Sequence, residues 1–364
     1  MFFLVFKSNP QSYDKDLFVI KTLLDLIHKN YFDTFDNEKL KRRAIEGILD
    51  ELDPHSTYIP KEDVERSEEQ LRGTFTGIGI EFQILEDTVY VVHVIEGGPA
   101  FKAGILEGDK IIMADTVWLI GASISMVRST LRGPKGTEVT VKVLRGEDTL
   151  VFKIIRDEVP LNSLVACFCI TPSTGYMKIT RFAQRTDEEV DSCLNRLYSR
   201  NISGLIIDLR GNSGGYLKTA VDVVSHFIES GKQVVFTKNK YGLKFPYFSS
   251  LKNDSKIFKG KLAVLIDENS ASASEITAGA LQDYDRALIV GRLSYGKALV
   301  QQEFKLPDSS RVRITTATYY TPSGRPIQRP YKNKREYLST LANRYKNGML
   351  FHRDSIKIPG KEKY

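Results

Sequence analysis

The sequence predicts a multidomain α/β protein, and three patterns carry that expectation. Up to about residue 73 apolar positions recur at helical spacing. From 74 to 159 they alternate with a period of two. From 160 to 330 apolar strands interleave with amphipathic helices, the pattern of a sheet with helices packed on it. At 364 residues the chain can hold two or three domains with buried cores. Its 41% hydrophobic and 27% charged content is that of a soluble globular protein, and no apolar run approaches the ~20 residues of a membrane-spanning helix.

The N-terminal region, 1–73, reads as helices over Asp14–Tyr31, Asn37–Leu52 and Asp63–Leu71. Met1–Phe6 is too short for the core of an export signal and reads as a frayed terminus or the remnant of a longer segment. In 74–159, strands are expected at Gly77–Phe82, Val89–Val92, Lys110–Ile112 and Val139–Val143, with a helix at Ile124–Leu131. Between them runs Gly97-Gly98-Pro99-Ala100-Phe101-Lys102-Ala103-Gly104-Ile105-Leu106-Glu107-Gly108-Asp109. This block resembles a PDZ domain, with Asp115-Thr116 where the family often has Asn-Gly. The resemblance implies capture of a C-terminal peptide by strand addition, its carboxylate held by backbone N–H groups of Gly77-Ile78-Gly79-Ile80.

In 160–330, strands are expected at Gly175–Ile179, Gly204–Leu209, Leu262–Ile266, Ala287–Val290, Ala298–Phe304 and Arg311–Thr315, and helices at Glu188–Ser199, Leu217–Glu229 and Ser274–Asp283. Ser272 lies in Ser270-Ala271-Ser272-Ala273-Ser274-Glu275-Ile276, where a strand turns into a helix. Its hydroxyl is a weak nucleophile without a base in reach. Unpaired N–H groups at a helix start favour a developing negative charge, and that of Ala273 is placed to receive an oxyanion. Ser274 suits the role of helix cap. A second strand-to-helix turn, Leu209-Arg210-Gly211-Asn212-Ser213-Gly214-Gly215, supplies flexible backbone but matches neither a P-loop nor a dinucleotide fingerprint. Lys297 and Gln301 share parity on one strand, so the glutamine carbonyl can hold the amine. To serve as a base, that lysine must be buried and free of a carboxylate partner.

Together these residues resemble the C-terminal processing (tail-specific) peptidases of family S41, in which a PDZ module precedes a Ser-Lys protease core of the ClpP/crotonase-like type. The motifs are Leu52-Asp53-Pro54-His55-Ser56-x-Tyr58, the PDZ block, the 209–215 turn, 270–276, Tyr295-Gly296-Lys297 with Gln301, and Tyr320-Thr321-Pro322-Ser323-Gly324-Arg325. The resemblance implies Ser272 as nucleophile, Lys297 as general base and Gln301 as its orienter. It implies an oxyanion hole from Ala273 and the Gly214-Gly215 turn, and in some members a role for an aspartate at the position of Asp283. Ser213 replaces a usual proline, and Ala298-Leu299 a frequent Gly-Thr.

The expected function is a serine endopeptidase acting on proteins with free apolar C-termini. It needs no metal or organic cofactor and binds no nucleic acid; a homodimer or an adaptor partner is open. Its expected location is the bacterial periplasm or cell envelope. A catalytically silent PDZ scaffold is the alternative, which an intact Ser272, Lys297 and Gln301 argue against. A crotonase-like acyl-CoA enzyme would leave the PDZ block unexplained. The five histidines (His28, His55, His93, His226 and His352) fall outside the catalytic pattern and read as structural. Cys167, Cys169 and Cys193 read as buried thiols that leave the compartment open. Residues 331–364 carry nine Lys/Arg against three acidic residues, most of the net +7, and read as a solvated basic tail.

Overall fold

The computed structural model describes residues 10–250, 256–331 and 334–351; Met1–Lys7, His352 and the charged end Lys361–Tyr364 lie outside them. Residues 1–52 and 53–364 make two units. In the first, helices Pro10–Asn30 and Asn37–Asp50 are joined by a short turn. Asp36 caps the second helix by accepting the N–H groups of Glu38 (2.9 Å) and Lys39 (3.1 Å). The third expected helix, Lys61–Arg72, belongs to the second unit.

That unit opens with an aspartate-centred turn. Asp53 accepts the N–H groups of His55 (2.8 Å) and Ser56 (3.0 Å) and the Ser56 hydroxyl (2.5 Å). Ser56 Oγ then accepts the Thr315 N–H, and Thr57–Ile59 pairs antiparallel with Arg311–Tyr320. Helix Lys61–Arg72 ends at Gly73, whose φ of 79° suits glycine. It bridges two layers, since Glu69 pairs with Arg132 of the β-module and Glu68 with Arg311 of the core.

The β-module is a sheet ordered Ile80–Leu85, Thr88–Val94, Lys110–Ala114, Glu138–Arg145, Asp148–Ile155. Val139, Val141 and Val143 are fully buried, as a period of two requires. Asp115 takes the left-handed turn position (φ 50°) and accepts the Thr140 N–H, so the hairpin closes without a glycine there. Ile80–Leu85 is an open edge, and Ile78 just before it packs in one buried apolar cluster with Val127 and Leu131 of helix Ile124–Leu131.

The core holds a five-stranded sheet ordered Leu164–Thr171, Thr174–Ile179, Gly204–Asp208, Lys261–Ile266, Leu288–Gly291, parallel except at its first pair. Helices Thr186–Tyr198, Leu217–Ser225 and Ala273–Asp283 pack on it through one apolar cluster. An antiparallel sheet joins Thr57–Ile59, Arg311–Tyr320, Gln233–Asn239 and Lys244–Phe248, with Leu299–Lys305 also on Arg311–Tyr320.

Two expectations are corrected. Cys167 and Cys193 are not thiols but a disulfide, 26 residues apart in sequence. Packing of helix Thr186–Tyr198 onto strand Leu164–Thr171 brings them together, which spacing along the chain does not reveal. Cys169 remains a half-buried thiol. Nor is the basic segment simply solvated: Lys334–Lys346 is a helix with Tyr337 and Arg344 buried.

Candidate active site

Three turns meet at the C-terminal ends of the parallel strands: 209–216 after Gly204–Asp208, 267–272 after Lys261–Ile266, and 292–297 after Leu288–Gly291. This is where open α/β sheets form their crevices. A cleft of about 1360 Å³ is lined there by Ser272, Lys297, Gln301, Gly214, Gly215, Ile276 and others.

The three serines of the 270–274 run have separate fates. Ser270 is fully buried and donates to Leu209 O (2.8 Å). Ser274, also fully buried, donates to Asn212 O (2.9 Å), so it ties two turns together instead of capping the helix. Ser272 takes the N-cap position and lines the cleft, at φ 55° and ψ −113°. A non-glycine residue there stores strain of about 1–3 kcal/mol, a feature that clusters at functional turns.

The glycine turn lies against this elbow. A Cβ on Gly214 would sit 2.7 Å from both Ala271 O and Ser272 Cβ, and one on Gly215 2.1 Å from Phe182 O. Gly214 N–H is already given to Asn212 Oδ1 (2.8 Å), which removes it from the expected oxyanion donors. Among the described residues, the N–H groups of Gly215 and Ala273 donate no hydrogen bond. Those two are the available donors beside Ser272.

Lys297 is largely buried, and its Nζ donates to Gln301 Oε1 (3.0 Å). Burial holds its amine below the ordinary lysine range; Arg313 pushes the same way, while Asp53 and Glu275 pull back. Among the described residues it makes no ion pair, and Ser272 Oγ is not hydrogen-bonded to it. What joins the two residues is their main chain. Glu275 Oε2 accepts the N–H groups of Ser272 (2.8 Å) and Lys297 (2.9 Å). Its Oε1 accepts the Ser294 hydroxyl (2.7 Å) and the Gly296 N–H (2.6 Å). Burial pushes this carboxyl upward against those four donors. On the other side, the Tyr319 hydroxyl lies between the carbonyl oxygens of Ser272 (3.0 Å) and Lys297.

Residues 173–332 match the model of peptidase family S41, and residues 76–155 that of the PDZ domain. The carboxy-terminal-processing protease of Bartonella bacilliformis is 35% identical over 327 residues, 88% of this chain and 74% of its own length. The chain belongs to peptidase family S41. The carboxy-terminal processing protease CtpB of Bacillus subtilis is 34% identical, over 87% of this chain and 66% of its own length. A solved photosystem II D1 C-terminal processing protease is 26% identical, covering 84% of this chain and 83% of its own, with a TM-score of 0.48.

Not every expected residue of this S41 chain converges. Asp283 ends the 11-residue helix that Ser272 begins, about 16 Å away at 1.5 Å per residue. It pairs with Arg325 and accepts the Ser323 N–H (2.9 Å), so it holds the 321–325 turn and does not reach Ser272 or Lys297. Sequence reasoning missed Glu275 and Tyr319 as members of the site. Glu275 carried a signal: it stands three residues after the N-cap serine, where a carboxylate reaches back to the cap N–H. Tyr319 carried none.

In the PDZ groove, Ile78 O accepts the Ala100 N–H (2.7 Å) and Gly79 O the Ile95 N–H (3.1 Å). The loop is thus held by its carbonyls. Among the described residues the N–H groups of Ile78 and Gly79 donate no hydrogen bond. Gly79 has φ 80°, a conformation that side chains resist.

Proposed function

We propose that this chain is a serine endopeptidase that captures free apolar C-termini in its PDZ groove and cleaves upstream at Ser272. The observation that carries this is a cleft-lining serine at a strained strand-to-helix turn, clipped to a buried lysine that lacks a carboxylate partner. In the proposed reaction, Ser272 Oγ attacks the scissile carbonyl carbon and its proton passes to a neutral Lys297. Gly215 and Ala273 N–H groups receive the oxyanion. The resulting ammonium protonates the leaving amine as the C–N bond breaks. Lys297, neutral again, takes a proton from the water that attacks the acyl ester and returns it to Ser272 Oγ as the C–Oγ bond breaks. Gln301 aims the amine throughout.

The PDZ module supports the substrate class: an open strand edge beside an apolar cluster and unused N–H groups suit an apolar chain end with a free carboxylate. The disulfide supports an oxidising compartment, in keeping with the periplasm or cell envelope. The exposed Leu17, Phe18, Val19, Leu23 and Leu26 of the first helix support association with a second copy, with an adaptor as the other outcome of a sedimentation measurement.

The test is cleavage of a loosely folded peptide with a free apolar C-terminus and of its amidated form, followed by mass spectrometry. Ser272→Ala is expected to abolish cleavage. Amidation is expected to raise KM more than it lowers kcat. Activity in Ser272→Ala defeats the nucleophile assignment, and equal cleavage of both peptides defeats tail recognition.

A further inference from the structure

Helix Lys334–Lys346 lies beyond the segment that matches family S41, yet it reaches the lysine loop. Tyr337 and Arg344 are seven residues apart, two helical turns, and so emerge on one face. Both are buried, at 1% and 8% exposure.

Tyr337 sits in a cage. Its hydroxyl is 2.7 Å from His55 Nε2, and its ring meets those of His55, Tyr295 and Tyr331 edge-on. The Arg329 guanidinium stacks 3.7 Å from the Tyr337 centroid and 4.3 Å from that of Tyr295. Arg329 also gives its Nη2 to Tyr337 O (3.0 Å) and its main-chain N–H to Gly296 O (3.1 Å). Arg344 donates to Ser294 O (2.7 Å), and the Ser294 hydroxyl in turn donates to Glu275. The four residues before and including Lys297 are therefore held from one side by Glu275 and from the other by the C-terminal helix.

We propose that Tyr337 and Arg344 are positioning residues for the peptidase reaction, setting the Ser294–Lys297 loop and with it the alignment and burial of the Lys297 amine. This rests on the Ser272–Lys297 reading above. Packing alone needs no such convergence. Arg344 holds the Ser294 carbonyl, Arg329, stacked on Tyr337, holds that of Gly296, and the Ser294 hydroxyl carries the tie on to the carboxylate that binds the N–H groups of Ser272 and Lys297.

The test uses the full chain with Arg344→Ala, Arg344→Lys and Tyr337→Phe. Two readouts are taken: kcat and KM on a free-ended peptide, and the pH dependence of Lys297 acetylation by acetic anhydride, mapped by mass spectrometry. The charged or titratable groups acting on Lys297 are Arg313, Asp53, Glu275 and His55, the last held neutral down to about pH 4. Loosening the loop relieves burial, so the Lys297 titration should move to higher pH. Arg344→Ala is expected to lower kcat about tenfold with KM little changed, Arg344→Lys to recover part of it, and Tyr337→Phe to lose about two- to threefold. Wild-type kcat and an unshifted Lys297 titration in Arg344→Lys and Tyr337→Phe overturn the proposal, even if Arg344→Ala fails to fold. The acetylation readout does not depend on cleavage. A wild type that fails to cut therefore counts against the peptidase reading, while the helix proposal is still decided by the Lys297 shift.

Discussion

The peptide groove and the catalytic cleft are built in opposite ways. The groove comes from one continuous stretch with its own apolar cluster: loop 77–80, its strand, and helix Ile124–Leu131. The cleft is assembled from distant segments. The main chains of Ser272 and Lys297 are joined through the Glu275 carboxylate and the Tyr319 hydroxyl, and the glycine turn is pressed on by backbone contact. A site made of one segment fails locally when altered. A site made of several fails when any tie between them is cut, even where that tie touches no substrate.

The sharpest way to break this contrast is Glu275→Gln. The glutamine amide would turn an N–H donor toward donors that the carboxylate now accepts. A fall in kcat of about a hundredfold is expected, with KM nearly kept. Losing the negative charge also removes one of the two carboxylates that pull the Lys297 amine upward, Asp53 being the other, so the rising limb of the pH–rate profile should move to lower pH. That is opposite to the shift expected for the Arg344 variants. Steady-state kinetics across pH check both statements, and near-wild-type turnover would mean the two turns need no clasp.

The same contrast explains what could be read from the chain. The PDZ block was legible because its alternating valines and its Pro99–Asp109 run are local. That Ser272, Lys297 and Gln301 would come to one cleft was legible because each stands in a short motif. Asp283 stands at the helix end expected of it, but nothing in its motif shows that Arg325 and Ser323 hold its carboxylate. Gly214 misled because a neighbouring side chain, Asn212, takes its N–H. Tyr319, the Cys167–Cys193 bond and the buried face of the C-terminal helix were invisible because each depends on packing between segments far apart in sequence.

A smaller effect is expected in the groove. A Cβ at Gly79 would sit 3.3 Å from Val159 Cγ2 and would face a φ of 80°. Gly79→Ala should therefore distort the carboxylate loop and raise KM for a free-ended peptide about five- to tenfold, leaving kcat within about twofold. An amidated peptide, which the loop has no charge to hold, should feel the change less. Comparison of the two peptides on the same variant checks this, and a loss confined to kcat would show that the groove is not a separate delivery site.

The most direct measurement of the central claim is the pH–rate profile of the wild type beside that of Lys297→Arg. A buried, unpaired lysine acting as base predicts a rising limb below the ordinary lysine pKa of 10.5, set by the lowered Lys297 value. It also predicts loss of about a hundredfold or more in Lys297→Arg at every pH, because a guanidinium stays charged. A Lys297→Arg enzyme that cuts at wild-type rate with the same limb would contradict the account.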